Sequence, residues 1–85
     1  MNEEKIAVMS IFVNDRESSA PQLNEILTRN GKLILSRTGL NISPYCEKQC
    51  AAIITLVVRG DETNVKKMQE EISSVSGLQV KINQF

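Results

Sequence analysis

Residues 5–13 read KIAVMSIFV and residues 50–59 read CAAIITLVVR. Apolar side chains occupy both alternating faces of each stretch, and this pattern is typical of β-strands that are covered on both sides. We therefore predict a central strand at each stretch, and the remaining elements are placed relative to these two.

A helix is predicted after each central strand. The first begins in the capping region of residues 14–19, with Pro21 expected in its first turn, and it ends at Asn30-Gly31. The second begins at residues 60–63 and ends at Ser76-Gly77. Each helix has one apolar face, formed by Ala20, Leu23, Ile26 and Leu27 in the first and by Val65, Met68, Ile72 and Val75 in the second.

Two further stretches alternate with more polar content and predict edge strands. They are residues 32–40 and residues 78–82. Residues 41–49, NISPYCEKQ, predict the connection of a long hairpin. With right-handed crossovers, the βαββαβ order gives an α+β ferredoxin-like sandwich of one domain, residues 1–85, whose four-stranded antiparallel sheet has the order 4-1-3-2 and both helices on one face.

The second face of this sheet is predicted to be apolar. One set from each central strand must point away from the helices: Ile6/Val8/Phe12 or Ala7/Met9/Ile11/Val13, and Ala51/Ile53/Val57 or Ala52/Ile54/Leu56/Val58. An apolar patch of this kind marks an interaction surface. We expect a homodimer or a homotetramer, because small cores with few aromatic side chains favour oligomerisation and two-fold symmetry is the commonest solution.

Charge and composition exclude several function classes. Ten basic and ten acidic residues cancel, so the chain has no basic field for nucleic acid, and direct nucleic-acid binding is not expected. Residues 1–5 are charged and no apolar run approaches the roughly 20 residues that span a bilayer. We expect a cytoplasmic protein without a membrane partner.

No catalytic machinery is visible, and the chain is expected to be neither an enzyme nor a cofactor protein. There is no His, no Gly-rich phosphate loop, and no Ser or Cys beside a plausible base. Stacking aromatics of the kind that bind RNA are represented only by Phe12, which we expect in the core.

Four residues are candidates for binding a small effector: Asn14, Asp15, Arg16 and Arg37. The first three follow a central strand and open a helix, where side chains and helix amides bind small molecules. Arg37 stands in an uncharged stretch and suits an anionic ligand. As alternatives, the first three are plain capping residues and Arg37 is a solvated cation of an edge strand.

The two cysteines, Cys46 and Cys50, are expected as free thiols in a reducing compartment, and no metal site is expected. The alternative is a soft-metal or redox site at these two cysteines, particularly if two copies of the chain bring four thiolates together.

A family resemblance is carried by the first strand with residues 14–17, by LSRTGL at residues 35–40, by Pro44-Tyr45, by AIITLVV at residues 52–58 and by SGLQVK at residues 76–81. In these stretches the chain resembles the ACT-like regulators found with iron-only hydrogenase systems, whose fold is related to the ligand-binding domain of nickel-responsive repressors. This resemblance implies a ferredoxin-like regulatory domain that forms dimers or higher oligomers and responds to a small effector. A role in transcription is expected to run through a partner protein or through an unrecognised surface. A ligand-free protein-interaction module and a thiolate metal or redox sensor remain as alternatives.

Overall fold

The computed structural model describes residues 4–42 and 50–85. The elements are β1 (Glu4–Val13), α1 (Arg16–Arg29), a short 3-10 helix (Gly31–Leu33), β2 (Ile34–Asn41), β3 (Ala52–Asp61), α2 (Glu62–Ser73) and β4 (Leu78–Gln84). The predicted βαββαβ order is confirmed. Most of the predicted hairpin connection, residues 43–49, lies outside the described residues.

The four strands form one antiparallel sheet in the order β2-β3-β1-β4. This is the predicted order 4-1-3-2, with the two doubly apolar stretches in the centre. Met9 lies opposite Leu56 of β3 on one side and opposite Ile82 of β4 on the other. The α+β ferredoxin-like architecture is therefore confirmed.

The core lies between the sheet and the two helices. On β1 every second side chain, from Ala7 through Met9 and Ile11 to Val13, is buried toward the helices. Successive side chains of a strand point to opposite faces, so this set fixes the register of the whole sheet. The helices complete the core with Leu23, Ile26 and Leu27 from α1 and Val65, Met68 and Ile72 from α2.

The register also decides which apolar set points away from the helices. Ile6, Val8 and Phe12 of β1 and Ile53 and Val57 of β3 form this surface, which we call the open face. Phe12 is only partly buried and stands outside the core cluster. The expectation of a core Phe12 is wrong, because its position in the alternation of β1 places it on the face without helices.

Helix α1 begins at its predicted place, but Pro21 does not lie in its first turn. Asp15 is the N-cap, so Pro21 falls in the second turn, inside the helix. Proline has no N–H, so the carbonyl of Glu17, four residues earlier, lacks its usual helical donor. Because Pro21 is exposed, this carbonyl is accessible to water. Among the described residues, no helix is long and apolar enough to cross a membrane.

Strand β2 contains an irregularity that simple alternation does not show. Ile34 lies opposite Val58 and Ser36 lies opposite Val57, so Leu35 is an extra residue. A bulge of this type turns the following side chains to the other face. As a result Ile34 and Arg37, three positions apart, both lie on the helix side of the sheet, and Arg37 pairs with buried Leu56.

Candidate functional site: a cavity between the first helix and the edge strand

A cavity of about 250 Å³ lies between α1 and the strands β1, β3 and β2. Among the described residues, its polar lining comes from Arg16, Arg37, Asn24 and Asn41. None of the described lining residues is acidic. The apolar walls come from Val13, Ala20, Leu23, Leu40, Ala52 and Ile54.

Burial divides this lining into a floor and a rim. Val13, Leu23 and Ala52 belong to the buried core, so the floor of the cavity is apolar. Asn24 and Arg37 are exposed and form the rim, where Arg37 Nη2 donates to Asn24 Oδ1 at 3.0 Å. Leu40 is exposed as well, so the floor of the cavity is apolar and its rim is mixed, with apolar, amide and guanidinium side chains.

Arg16 is the first residue of α1 and is partly buried. Its backbone N–H donates to the carbonyl of Cys50 at 2.9 Å, so the start of α1 is fixed to the segment that leads into β3. This fixed backbone holds the Arg16 side chain at the cavity, where Arg37 also lies.

The Asp15 side chain accepts hydrogen bonds from backbone N–H groups next to the cavity. Its Oδ1 accepts from the N–H of Glu17 and from the N–H of Cys50, both at 3.3 Å, and its Oδ2 accepts from the Ser18 hydroxyl at 3.3 Å. These bonds satisfy orphan donors at the helix start and tie α1 to the segment before β3. Asp15 is thus a positioning residue for the neighbouring Arg16.

Asn14 points to a different neighbour. Its side chain is exposed, and its backbone N–H donates to the carbonyl of Gly77 at 2.9 Å, next to β4. Of the four residues singled out from the sequence, the structure brings Arg16 and Arg37 together at one cavity, whereas Asn14 and Asp15 do not line it.

Sequence reasoning missed Asn24 and Asn41 as lining residues. Asn24 could have been predicted from its spacing. Arg16, Ala20 and Asn24 are four residues apart and therefore lie along one face of α1. Asn41 had no such signal, because its orientation depends on the register shift at Leu35.

Cys50 is disulfide-bonded and only 5% exposed. The expectation of a free thiol is therefore wrong for Cys50, because it was drawn from the compartment alone, whereas the position of the sulfur decides whether a bond can form. Cys46 lies outside the described residues. Among residues 4–42 and 50–85, no group of three or more His, Cys, Asp or Glu side chains is suited to hold a metal ion.

A second cavity, of about 400 Å³, lies between the end of α1 and α2 and is also basic. Arg29, Lys32 and Lys67 line it, but so does Glu71, whose Oε2 accepts from Arg29 Nη1 at 3.0 Å. This cavity holds its own counter-charge and provides an internal comparison for anion binding.

The fold and the first cavity define a class: a ferredoxin-like α+β domain with a small basic pocket beside the first helix. Within this class, the chain belongs to the TM1266-like family, described as "Iron-only hydrogenase system regulator, putative", which it matches over residues 5–82. No curated protein matches the sequence.

Solved structures agree with this placement. The protein TM1266 from Thermotoga maritima is 29% identical, with a TM-score of 0.84, over 98% of this chain and 99% of that chain. CutA1 from Oryza sativa is 16% identical (TM-score 0.54; 95% of this chain, 80% of that chain). CPII from Thiomonas intermedia K12, a nitrogen regulatory PII-like protein bound to ADP, AMP and bicarbonate, is 17% identical (TM-score 0.51; 98% of each chain). The last two share the fold alone.

Proposed function

We propose that this chain is a non-enzymatic regulatory domain of a hydrogenase system, which self-associates and binds a small anionic effector in the cavity between Arg16 and Arg37. The observation that carries the proposal is that these two guanidinium groups, distant in sequence, line one cavity. The domain spans residues 1–85 and works in the cytoplasm. Arg16 and Arg37 contact the effector, and Asn14 and Asp15 hold the start of α1 in place.

The chemistry of the cavity supports this effector class. Guanidinium groups bind carboxylates and phosphates through charge-assisted hydrogen bonds, and two arginines, Arg16 and Arg37, line this cavity. The family description supports a regulatory role. That a PII-like protein of the same fold was solved with nucleotides and bicarbonate adds that this architecture can hold small anions.

Self-association through the open face is supported by the side chains exposed there. Ile6 is 45% exposed and Ile53 is 37% exposed, beside the partly buried Val8, Phe12 and Val57. The apolar side chains of this face on the two central strands, which the Ser10–Thr55 pair divides into two groups, are favourably covered by a second copy, because the two-fold arrangement matches the patch with itself. A homodimer or a homotetramer satisfies this condition.

A thermal-shift screen of the protein against amino acids, carboxylates, nucleotides and divalent metals tests the effector proposal. A ligand at 100 times its Kd stabilises by about 2.7 kcal/mol, which raises the Tm of so small a domain by roughly 10 °C. We expect an anionic hit that is lost in Arg16→Gln and Arg37→Gln but kept in Lys67→Gln, the matched change at the second cavity. No hit, or a hit that both Gln variants retain, would contradict the proposal.

Light scattering behind a sizing column tests self-association. We expect a mass of two or four chains at micromolar concentration, falling to one chain in Val8→Lys, which places a charge on the open face. Gln22→Lys adds the same charge on the exposed side of α1 and leaves the mass unchanged. A single-chain mass for the unaltered protein would rule out the proposed oligomer.

A ligand-free interaction module is the second candidate, and the open face is the observation in its favour. A flat ligand screen combined with an oligomer or a protein partner bound at the open face would support that function. The third candidate, a redox sensor, is favoured by the disulfide at Cys50.

A further inference from the structure

We infer that Gly39 is the specificity-determining residue of this cavity, and that the hydrocarbon part of the effector lies against β2 in the place that a side chain at residue 39 would occupy. This inference rests on the proposed function and names the class of its effector, a small organic anion with a short hydrocarbon chain. It follows from the position of a glycine that neither the backbone nor the packing of the domain requires.

The register places residue 39 on the helix side of the sheet. Gly39 lies opposite Ile54 of β3, and Ile54 lies opposite Ile11 of β1, which is buried toward the helices. Directly opposite residues of antiparallel strands point their side chains to the same face. A side chain at residue 39 would therefore project toward α1, where Gly39 and Ile54 both line the cavity.

The backbone of β2 does not require a glycine at this position. Of the four glycines, all of which lie within the described residues, only Gly77 has a positive φ. Residue 39 therefore has a backbone conformation that other residues adopt. A glycine within a strand is unfavourable, because it loses more conformational freedom on folding and packs no side chain.

Packing within the domain does not require this glycine either. Among residues 4–42 and 50–85, chain neighbours aside, no atom lies within 4 Å of a Cβ added at Gly39, whereas a Cβ added at Gly60 would meet Leu33 Cδ2 at 2.8 Å. Close packing thus explains Gly60 and does not explain Gly39. A glycine in a strand often marks the close approach of a ligand or of another backbone, and the cavity at Gly39 has the space for a ligand.

The neighbours of Gly39 determine how the effector lies. Arg37 and Asn41, each two positions away on the same side of β2, also line the cavity, and each is about 7 Å along the strand from Gly39. An effector whose carboxylate accepts hydrogen bonds from Arg37 reaches Gly39 with its hydrocarbon part. There it meets the side chains of Ile54 and Ala20, and this contact removes apolar surface from water.

The volume of the cavity limits the length of the hydrocarbon chain. A volume of about 250 Å³ holds on the order of eight groups of the size of water, at roughly 30 Å³ for each. Hexanoate, with about eight non-hydrogen atoms, is of this size. Acetate has the same head group and lacks the part that would cover Gly39, so the two carboxylates are matched probes.

NMR titration with acetate, butanoate and hexanoate tests the inference in the unaltered protein and in Gly39→Val. We expect the affinity of the unaltered protein to rise with chain length, so that hexanoate binds about tenfold or more tightly than acetate. In Gly39→Val the added side chain fills the place of the hydrocarbon part, so hexanoate affinity should fall about tenfold or more while acetate affinity changes by less than about twofold. Gly31→Ala, at a glycine that does not line the cavity, should bind all three probes as the unaltered protein does.

A thermal melt separates selectivity from folding. Val has the higher strand propensity and no described atom obstructs its Cβ, so Gly39→Val should melt at or above the temperature of the unaltered protein. A Tm lower by several degrees would assign Gly39 a packing role and overturn the inference.

Three binding results would overturn the inference and leave the proposed function intact. They are equal hexanoate affinity in Gly39→Val and the unaltered protein, acetate binding as tightly as hexanoate, and binding of another anion from the thermal-shift screen while hexanoate does not bind. A lower oligomeric mass of Gly39→Val with unchanged hexanoate affinity would mean that a second copy, and not a ligand, approaches Gly39. If neither these probes nor any anion of the screen binds, both the inference and the effector proposal are wrong.

Discussion

Arg37 of β2 and Asn24 of α1 are joined by a hydrogen bond of 3.0 Å across the rim of the cavity. Both side chains are exposed, so the bond adds little to the free energy of unfolding, on the order of 1 kcal/mol or less. Its significance is positional, because it holds a long, flexible cation of an edge strand beside the helix that carries Arg16.

The substitution Asn24→Asp should separate stability from binding. The introduced carboxylate would pair with Arg37 and occupy a cation of the proposed effector site, so anion affinity should fall about tenfold or more while the Tm changes by only a few degrees. Calorimetric titration and thermal melts measure the two effects. Gln22→Glu adds the same charge on the exposed side of α1 and should preserve binding; equal losses in both variants would point to a general charge effect.

Asp15→Ala should destabilise the chain by about 1–2 kcal/mol, because the helix loses its cap and Cys50 loses an acceptor for its N–H. Urea unfolding followed by circular dichroism gives this value. Asp61→Ala, which removes the equivalent cap of α2, is the comparison. Only Asp15→Ala should also weaken effector binding, since only Asp15 fixes the start of α1 at Arg16. A loss of affinity of the same size in Asp61→Ala would argue against this positioning role.

Gly77→Ala should cost about 1–3 kcal/mol of stability, because two effects add. Gly77 has φ of +86°, which disfavours any side chain, and an added Cβ would lie 2.9 Å from Ser19 Oγ. That hydroxyl is buried and donates to the carbonyl of Ser76 at 3.0 Å, joining α1 to the start of β4. Gly31→Ala is the control, with nothing within 4 Å of its Cβ and no positive φ; it should melt near the wild-type temperature.

Reduction of the disulfide at Cys50 should lower the Tm, by an amount that corresponds to about 1–3 kcal/mol. Cys50→Ser should melt at the temperature of the reduced protein and should not respond to a dithiol reductant. Cys46→Ser tests whether the only other cysteine of the chain supplies the second sulfur. If reductant leaves the Tm of the unaltered protein unchanged, the bond has no stabilising role. A reductant-dependent change in effector affinity would support the redox-sensor alternative, because the backbone of Cys50 is hydrogen-bonded to Asp15 and Arg16.

The topology could be predicted because a strand that is buried on both faces consists almost entirely of apolar residues. Two stretches of apolar residues identified the central strands, and the right-handed crossover then fixed the sheet order. The helix starts could also be predicted from the sequence. Asp15 and Asp61 are N-caps, and the preference for Asp at this position depends only on the neighbouring backbone.

The details of the site depended on non-local effects. The extra residue at Leu35 leaves no signature in the alternation of β2, yet it brings Arg37 to the helix side. The side of the sheet on which Phe12 lies depends on the register shared with β3, and both sets of β1 are apolar. The bond at Cys50 depends on where the chain brings two sulfur atoms, which composition does not specify.

The alternation of β1 separates two sets of side chains that have different neighbours. Ala7, Met9 and Ile11 face the helices, whereas Ile6, Val8 and Phe12 face outward. A substitution at an outward position would therefore change the surface that a second molecule meets, while the buried set between the sheet and the helices is kept.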